Sequence, residues 1–315
     1  MLGAGGVVGM AWHAGVLAAI EKATGWDPRK AEVVVGTSAG AVIAASLRAG
    51  MSAQDHFDRA GGHFHRHRSV PEQRSVVEDV LSGRFRGPPT LGRPTSLRLA
   101  LMGLLQSPPR PHPVLAGLLP RGRTSLDPLE AQLRRLWPAG WPDEPTWICA
   151  VSATTGRLVV FGRDDVGWPV DLARAVTASC AVPGVFAPVR IGGEELIDGG
   201  ANSPTNAHLL AELGFDLVIV SSPMSATRSA TRRCWRGAVR IHHTALLAAE
   251  IGALRAHGTR TLLFQPTASD LEFLGTNPLD WRRAPKVATR AARSATDRLA
   301  LPDAREVVRI LTDAE

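Results

Sequence analysis

The sequence predicts an α/β fold, a parallel sheet with helices on its faces. Two observations carry that expectation. Short β-branched runs are followed by helical patterns, first in VVVGTSAGAVIAASLR at residues 33–48, and the units alternate along the chain. The length of 315 residues and a hydrophobic content of 44% supply material for a sizeable core. No run approaches the ~18 consecutive apolar residues of a membrane span.

Taken in order, residues 11–24 carry Val16, Leu17 and Ile20 at helical spacing and end near Gly25. Val33–Val35 reads as a short buried strand and Ala41–Arg48 as the helix after it. From about Ser69 to Gly122 the composition shifts to Pro, Arg and Gly (RFRGPPTLGRP, QSPPRPHP), with one apolar stretch, SLRLALMGLL, inside it. SLDPLEAQLRRLW restores a helix, with Ser125 or Asp127 as its cap. WICAVSATT and GRLVVFG read as strands and LARAVTAS as a helix. FAPVRIG, the strand GFDLVIVSS, the helix TALLAAEIGALRAHG and the strand TRTLLFQP follow, before a charged helical tail at about 280–315.

The net charge of +7 is almost wholly arginine, since Lys22, Lys30 and Lys286 are the only lysines. The arginines are dispersed rather than striped along one face, so a compositional bias explains them and no nucleic-acid partner is expected. Cys149, Cys180 and Cys234 are odd in number and far apart, which argues for a reducing compartment rather than a disulfide framework. MLGAGGVVGM has no charged n-region and no cleavage site, so no signal peptide is read and the cytoplasm is the default.

Three short motifs carry chemistry. GTSAG, between strand and helix, matches the nucleophile elbow, with Ser38 on a sharp turn and Gly36 and Gly40 letting backbone pass close. A serine-capped turn is the plainer alternative. GAGGVVG at residues 3–9 nearly matches a dinucleotide fingerprint, which needs an acidic residue closing the second strand. That strand closes with GTSAG instead. The glycines then serve better as an oxyanion hole, with the amides of Gly5, Gly6 or Val7 facing Ser38. ELIDGGANSP delivers Asp198 into a Gly-Gly turn, where a carboxylate would take the serine proton in a Ser-Asp dyad. Among other residues, His63, His65 and His67 alternate like metal ligands but lack a Cys or carboxylate cluster, so a solvated basic loop is expected and no metal. His242–His243 read as structural, and Cys180 as a small buried thiol.

These motifs, in this order, resemble the patatin-like phospholipase family: a glycine-rich loop, G-x-S-x-G, then D-G-[GA]. ASCAVPGVFAPV at residues 178–189 looks like the family segment ahead of the aspartate strand, and Asn202 and Pro204 sit where the family has an Asn-x-Pro turn. Val8 departs from the Arg or Lys usual before the last loop glycine. The resemblance implies a three-layer α/β/α fold with a mostly parallel central sheet. The resemblance covers residues 2 to about 220 well and the tail loosely, with no match over 60–125; one acyl-hydrolase domain over residues 1–315 is expected, and the shifted composition of 69–122 reads as an insertion or cap. The expected activity is hydrolysis of phospholipid or lysophospholipid acyl esters without metal or organic cofactor, Ser38 as nucleophile and Asp198 as base. Family members open with a strand ahead of the glycine loop. Only Met1 and Leu2 precede Gly3, so that strand is expected to be missing through a misassigned or shortened start.

Two other readings compete. An α/β-hydrolase esterase would add a histidine such as His208 or His257, although its serine usually follows several strands. A non-catalytic lipid-binding or regulatory module would keep the elbow without turnover. SLRLALMGLL fits a bilayer-interface helix with Arg93 and Arg98 at the headgroups, giving peripheral contact at the inner membrane face, or equally a cap helix.

Overall fold

The computed structural model describes residues 1–61, 92–106, 110–138, 140–164, 167–231 and 238–313. His63, His65, His67 and the Pro/Arg-rich run up to residue 91 lie outside the described residues. Helix α1 (Gly6–Thr24) starts within the glycine loop rather than at residue 11. It stops at Gly25, whose left-handed backbone donates back to Glu21. Strand β1 (Val34–Thr37) turns at Ser38 into α2 (Ala39–Arg48), and α3 (Ala53–Ala60) opens on a capping box from Ser52 and Asp55.

Helices α4 (Leu97–Leu105) and α5 (Pro111–Leu118) form a hairpin from the stretch expected to be a cap. It is followed by α6 (Asp127–Leu136), where Ser125 Oγ accepts from the Asp127 amide at 3.0 Å. Strands β2 (Thr146–Ser152) and β3 (Leu158–Phe161) lead to α7 (Leu172–Ser179), then β4 (Val189–Ile191) and β5 (Glu194–Asp198). Strand β6 (Leu217–Ser221), α8 (Arg228–Thr231), α9 (Ala238–Ala256), β7 (Arg260–Phe264) and α10 (Ala268–Leu274) come next. Where the sequence predicts a helical tail stand α11 (Ala284–Leu299) and α12 (Arg305–Asp313).

The expectation of a mostly parallel sheet needs correction. β1 pairs β2 in parallel and β6 pairs β7 in parallel, but β2–β3, β2–β5 and β4–β5 are antiparallel. The cause is local. β4 and β5 are joined only by Gly192–Gly193, both at positive φ (57° and 84°), and a two-residue turn permits only antiparallel neighbours. Ahead of the glycine loop the chain forms an isolated bridge rather than a full strand. Leu2 bridges Gly36 on one side and Ser221 on the other, in parallel with both. Its amide donates to Val35 and its carbonyl accepts from Thr37, while Gly3 donates to the Ser221 carbonyl. Three residues thus join the β6–β7 pair to β1.

Helices lie on both faces of the sheet. Ile148 and Ala150 of β2 pack into one core cluster with α2 and α7, while Trp147 and Cys149 face the other with Leu247, Ile251 and Leu254 of α9. The strand is therefore buried on both sides, and fully burying Ile148 alone contributes roughly 2–3 kcal/mol. On the first face, α1 is covered by Val287, Ala288 and Ala291 of α11. No helix among the described residues is long and apolar enough to cross a membrane.

One register detail positions the site. On β2, Cys149 pairs with Thr37 of β1 and Val160 of β3, while the next residue, Ala150, pairs with Val159 of β3 and Asp198 of β5. A strand has two edges, and β3 occupies one throughout. β1 and β5 must therefore follow each other along the other edge, running towards one another until their C-terminal ends meet. Thr37 and Asp198 face neighbouring residues of a single strand.

Candidate active site

Ser38 stands at the point where β1 ends. Its backbone, at φ 54° and ψ −115°, lies in the left-handed half of the map, a strain of ~1–3 kcal/mol that the surrounding fold must impose. The glycines of GTSAG have steric reasons. A Cβ on Gly36 would lie 2.5 Å from the Ala41 Cα, and one on Gly40 would lie 2.0 Å from the Leu2 carbonyl oxygen. The Ser38 amide donates to Ser179 Oγ at 2.9 Å, and that hydroxyl donates to the Cys149 carbonyl at 2.6 Å. Ser179 belongs to the ASCAVP segment, so its hydroxyl links the elbow to β2 directly opposite Thr37.

Asp198 ends β5 on the same edge. Its Oδ1 accepts from the Gly200 amide at 2.7 Å, its own amide donates to the Ala181 carbonyl at 3.0 Å, and the Ser38 side chain lies near enough to draw its carboxyl pKa down. Both residues are almost closed to solvent, at 5% and 4% exposure. Burial pushes the Asp198 carboxyl up to about 6, against the lowering effect of the Ser38 and Gly200 hydrogen bonds. Ser38 and Asp198, 160 positions apart in sequence, are thus brought together where β1 and β5 end against neighbouring residues of β2.

The glycine loop is pinned at its ends and open in its middle. Gly3 O accepts from the Gly40 amide at 3.2 Å and from His13 Nε2 at 2.8 Å, Ala4 N donates to Pro204 O at 2.7 Å, and Val8 N donates to Pro278 O at 3.1 Å. The amides of Gly5, Gly6 and Val7 have no acceptor among the described residues. They form the first turn of α1, whose positive end therefore opens beside the start of α2. His13 is fully buried and held neutral, its pKa lowered to about 4 mainly by desolvation. Because a carbonyl only accepts, Nε2 carries the proton and Nδ1 accepts a hydrogen bond from Ser221 Oγ at 2.8 Å. His13 thereby ties the loop to β6.

The α4–α5 hairpin roofs the Asp198 turn. Arg110 donates to the carbonyl and side chain of Asn202, and His112 Nε2 donates to the Gly200 carbonyl. His243, expected to be structural, is buried and donates to His112 Nδ1 at 3.2 Å. Neither histidine of the triad alternative meets Ser38: His208 pairs with Glu250 at 3.1 Å, and His257 accepts no role beyond a bond to the Ala253 carbonyl at 2.9 Å. Cys180 is a thiol pushed well up by burial, lying 3.5 Å from the Ser38 carbonyl. Among the described residues no three His, Cys, Asp or Glu side chains converge on a point that could hold a metal ion.

A hydroxyl on a strained elbow, a buried carboxylate beside it and free amides at a helix start are the kinds of parts that acyl transfer uses: nucleophile, proton acceptor and oxyanion donors. The sequence did not single out His13, Ser179 or Asn206. A histidine inside the apolar run MAWHAGVL was the available signal for the first. The model of the patatin-like phospholipase family matches residues 1–211. The chain belongs to that family, whose members are lipid acyl hydrolases.

Proposed function

We propose that this member of the patatin-like phospholipases cleaves acyl esters of phospholipids or lysophospholipids through a Ser38–Asp198 dyad. The convergence of the two buried side chains at the ends of β1 and β5, with Ser38 drawing the Asp198 pKa down against its burial, is what supports the reading. Asp198 takes the Ser38 proton as the oxygen attacks the acyl carbonyl, and the amides of Gly5, Gly6 and Val7 receive the developing oxyanion. Collapse expels the alcohol, which leaves with the proton from Asp198, and an acyl-serine remains. Water then attacks, again giving its proton to Asp198, and the acid departs as Ser38 is reprotonated. A carboxyl whose pKa stands at about 6 is a better proton acceptor than an ordinary aspartate and is still ionised at neutral pH. The scheme uses no metal or organic cofactor.

The lipid is met at a surface. On α4, Leu97, Leu101, Leu104 and Leu105 face outward, and on α5 so do Leu115 and Leu118. Leu105 is 74% exposed and Leu97 65%. The opposite side of the hairpin, with Leu99, Ala100, Ala116 and Gly117, packs inward. An apolar face of this kind beside the site fits peripheral contact with a bilayer, at the inner face of the membrane if the cytoplasm is the setting.

Fluorophosphonate labelling of the purified protein, run beside a panel of lipid and short soluble esters, tests the reading. Wild type is expected to label and to turn over ester. Ser38→Ala is expected to do neither while keeping its circular dichroism spectrum. Undiminished hydrolysis by that variant refutes the scheme, and a wild type that binds lipid but neither labels nor turns over favours the non-catalytic module.

A further inference from the structure

Asn206 is, beside Ser38, the one non-glycine residue among those described with positive φ, at 54°. Its side chain is fully buried. The carbonyls of Ser203 and Gly199 can only accept, which fixes the amide: Nδ2 donates to Ser203 O at 2.8 Å, towards Gly199 O at 3.4 Å and to Thr37 Oγ1 at 3.1 Å. Oδ1 accepts from Asn202 Nδ2 at 2.7 Å. Thr37 immediately precedes Ser38, and Gly199 immediately follows Asp198. One amide therefore spans the two chain ends that carry the reactive side chains, where β1 and β5 meet without hydrogen bonds of their own.

The anchor for that amide is rigid. The Asn206 backbone N–H donates to Ser203 Oγ at 3.2 Å, and Glu250 of α9 accepts from the Ala207 amide at 3.1 Å and from the Thr205 hydroxyl. Burial alone would raise the Glu250 carboxyl, yet hydrogen bonds from His208, Thr205 and Ser203 hold it below the usual range, so it acts as a charged clamp. From the other side Arg110 of the roof holds Asn202, the residue that fixes Asn206 Oδ1.

We infer that Asn206 is a positioning residue that sets the separation of Ser38 from Asp198 by bridging Thr37 and Gly199. The inference rests on the dyad reading above. It explains why a buried, strained residue is asparagine: the left-handed backbone tolerates Asn, and the amide supplies two donors and an acceptor in one plane.

The test compares Asn206→Gly, which keeps the left-handed backbone and removes the amide, with Thr37→Val, which removes the acceptor from the other strand. Both are assayed with a short soluble ester, by fluorophosphonate labelling rate and by thermal melting. Misplacing reacting groups by ~1 Å costs on the order of 10²-fold, so each variant is expected to lose about 10- to 100-fold in kcat and in labelling rate with KM nearly unchanged. The double variant is expected to lose no more than the worse single one, because one link is broken twice. Wild-type kcat and labelling in Asn206→Gly, with only a lower melting temperature, would reduce Asn206 to a turn residue. If Asn206→Gly does not fold, wild-type kcat in Thr37→Val overturns the inference by itself. An active Ser38→Ala would sink the dyad reading, whereas an inactive Ser38→Ala beside a fully active Asn206→Gly sinks only the positioning role.

Discussion

Around Ser38 nearly every polar group finds a partner inside the fold, whereas a few residues away the roof turns a row of leucines outward. The floor is built from groups that fix one another: Ser179 holds the elbow amide, Ala181 holds Asp198, Asn206 holds both strand ends, and His13 holds the glycine loop. Its residues come from widely separated parts of the chain and are almost wholly buried. The α4–α5 hairpin is local in sequence, packs on itself through Gly103 and Gly117, and touches the floor mainly through Arg110 and His112. The contrast separates two tasks. Atomic placement demands saturated hydrogen bonding, while the lipid contact proposed for the hairpin demands only apolar area on a suitable face.

The floor can be broken first at its carboxylate. Asp198→Asn keeps the shape and removes the proton acceptor, and loss of a general base costs ~10²–10⁴-fold in turnover. The same change is expected to stabilise the protein. The Asp198 carboxyl titrates at about 6 in the fold, above an ordinary aspartate, so its contribution is complete at low pH and lost as pH rises through that value. At about pH 8 the asparagine variant gains on the order of 3 kcal/mol relative to wild type, and at about pH 4 almost nothing. Calorimetric melting at the two pH values reads this out, and equal melting temperatures at both would refute the burial account. In wild type, kcat/KM for a soluble ester is expected to fall as pH drops through about 6.

Gly40→Ala probes the close approach. The added methyl meets the Leu2 carbonyl oxygen at 2.0 Å, so the Met1–Gly3 bridge must shift. A cost of about 3 kcal/mol, the upper end for overpacking, is expected as a lower denaturation midpoint, with ester hydrolysis falling in the protein that remains folded. An unchanged midpoint would mean that the bridge is not held as described. The smallest effect on a soluble ester belongs to the roof. Leu101→Glu with Leu105→Glu is expected to leave that activity within about twofold, since exposed substitutions are usually near-neutral. Hydrolysis of vesicle phospholipid and flotation with vesicles are expected to fall about 10-fold or more, as two buried-in-lipid leucines each contribute ~1.5–3 kcal/mol. Undiminished flotation would make the hairpin a simple cover.

The same contrast decides what could be read from sequence. Ser38, Asp198 and the glycine loop announce themselves because each needs a contiguous motif: strand then elbow then helix, or an aspartate entering a Gly-Gly turn. The stretch that holds the α4–α5 hairpin stands out as a shift of composition with one apolar run. The supporting residues do not announce themselves. Asn206 acts on Thr37 across 169 positions and His13 on Ser221 across 208, and nothing in SPTNA or MAWHAG encodes that register. The first strand escaped for a different reason: a bridge made by Leu2 alone has no periodicity to detect. Alternation of strands and helices suggests a mostly parallel sheet because it hides two hairpins, β2–β3 and β4–β5.

The head-on meeting of β1 and β5 along one edge of β2 gives the chemistry an all-or-none character. Thr37, which leads into the proposed nucleophile Ser38, and the proposed base Asp198 are indexed to adjacent rungs of one strand, Cys149 and Ala150. Neither strand can creep by a fraction; it can only jump a whole rung of ~3.3 Å, which would also turn its buried side chains to the wrong face. On the proposed dyad, heat and denaturant therefore have no half-competent site to produce, and activity is expected to vanish together with the sheet that counts it out.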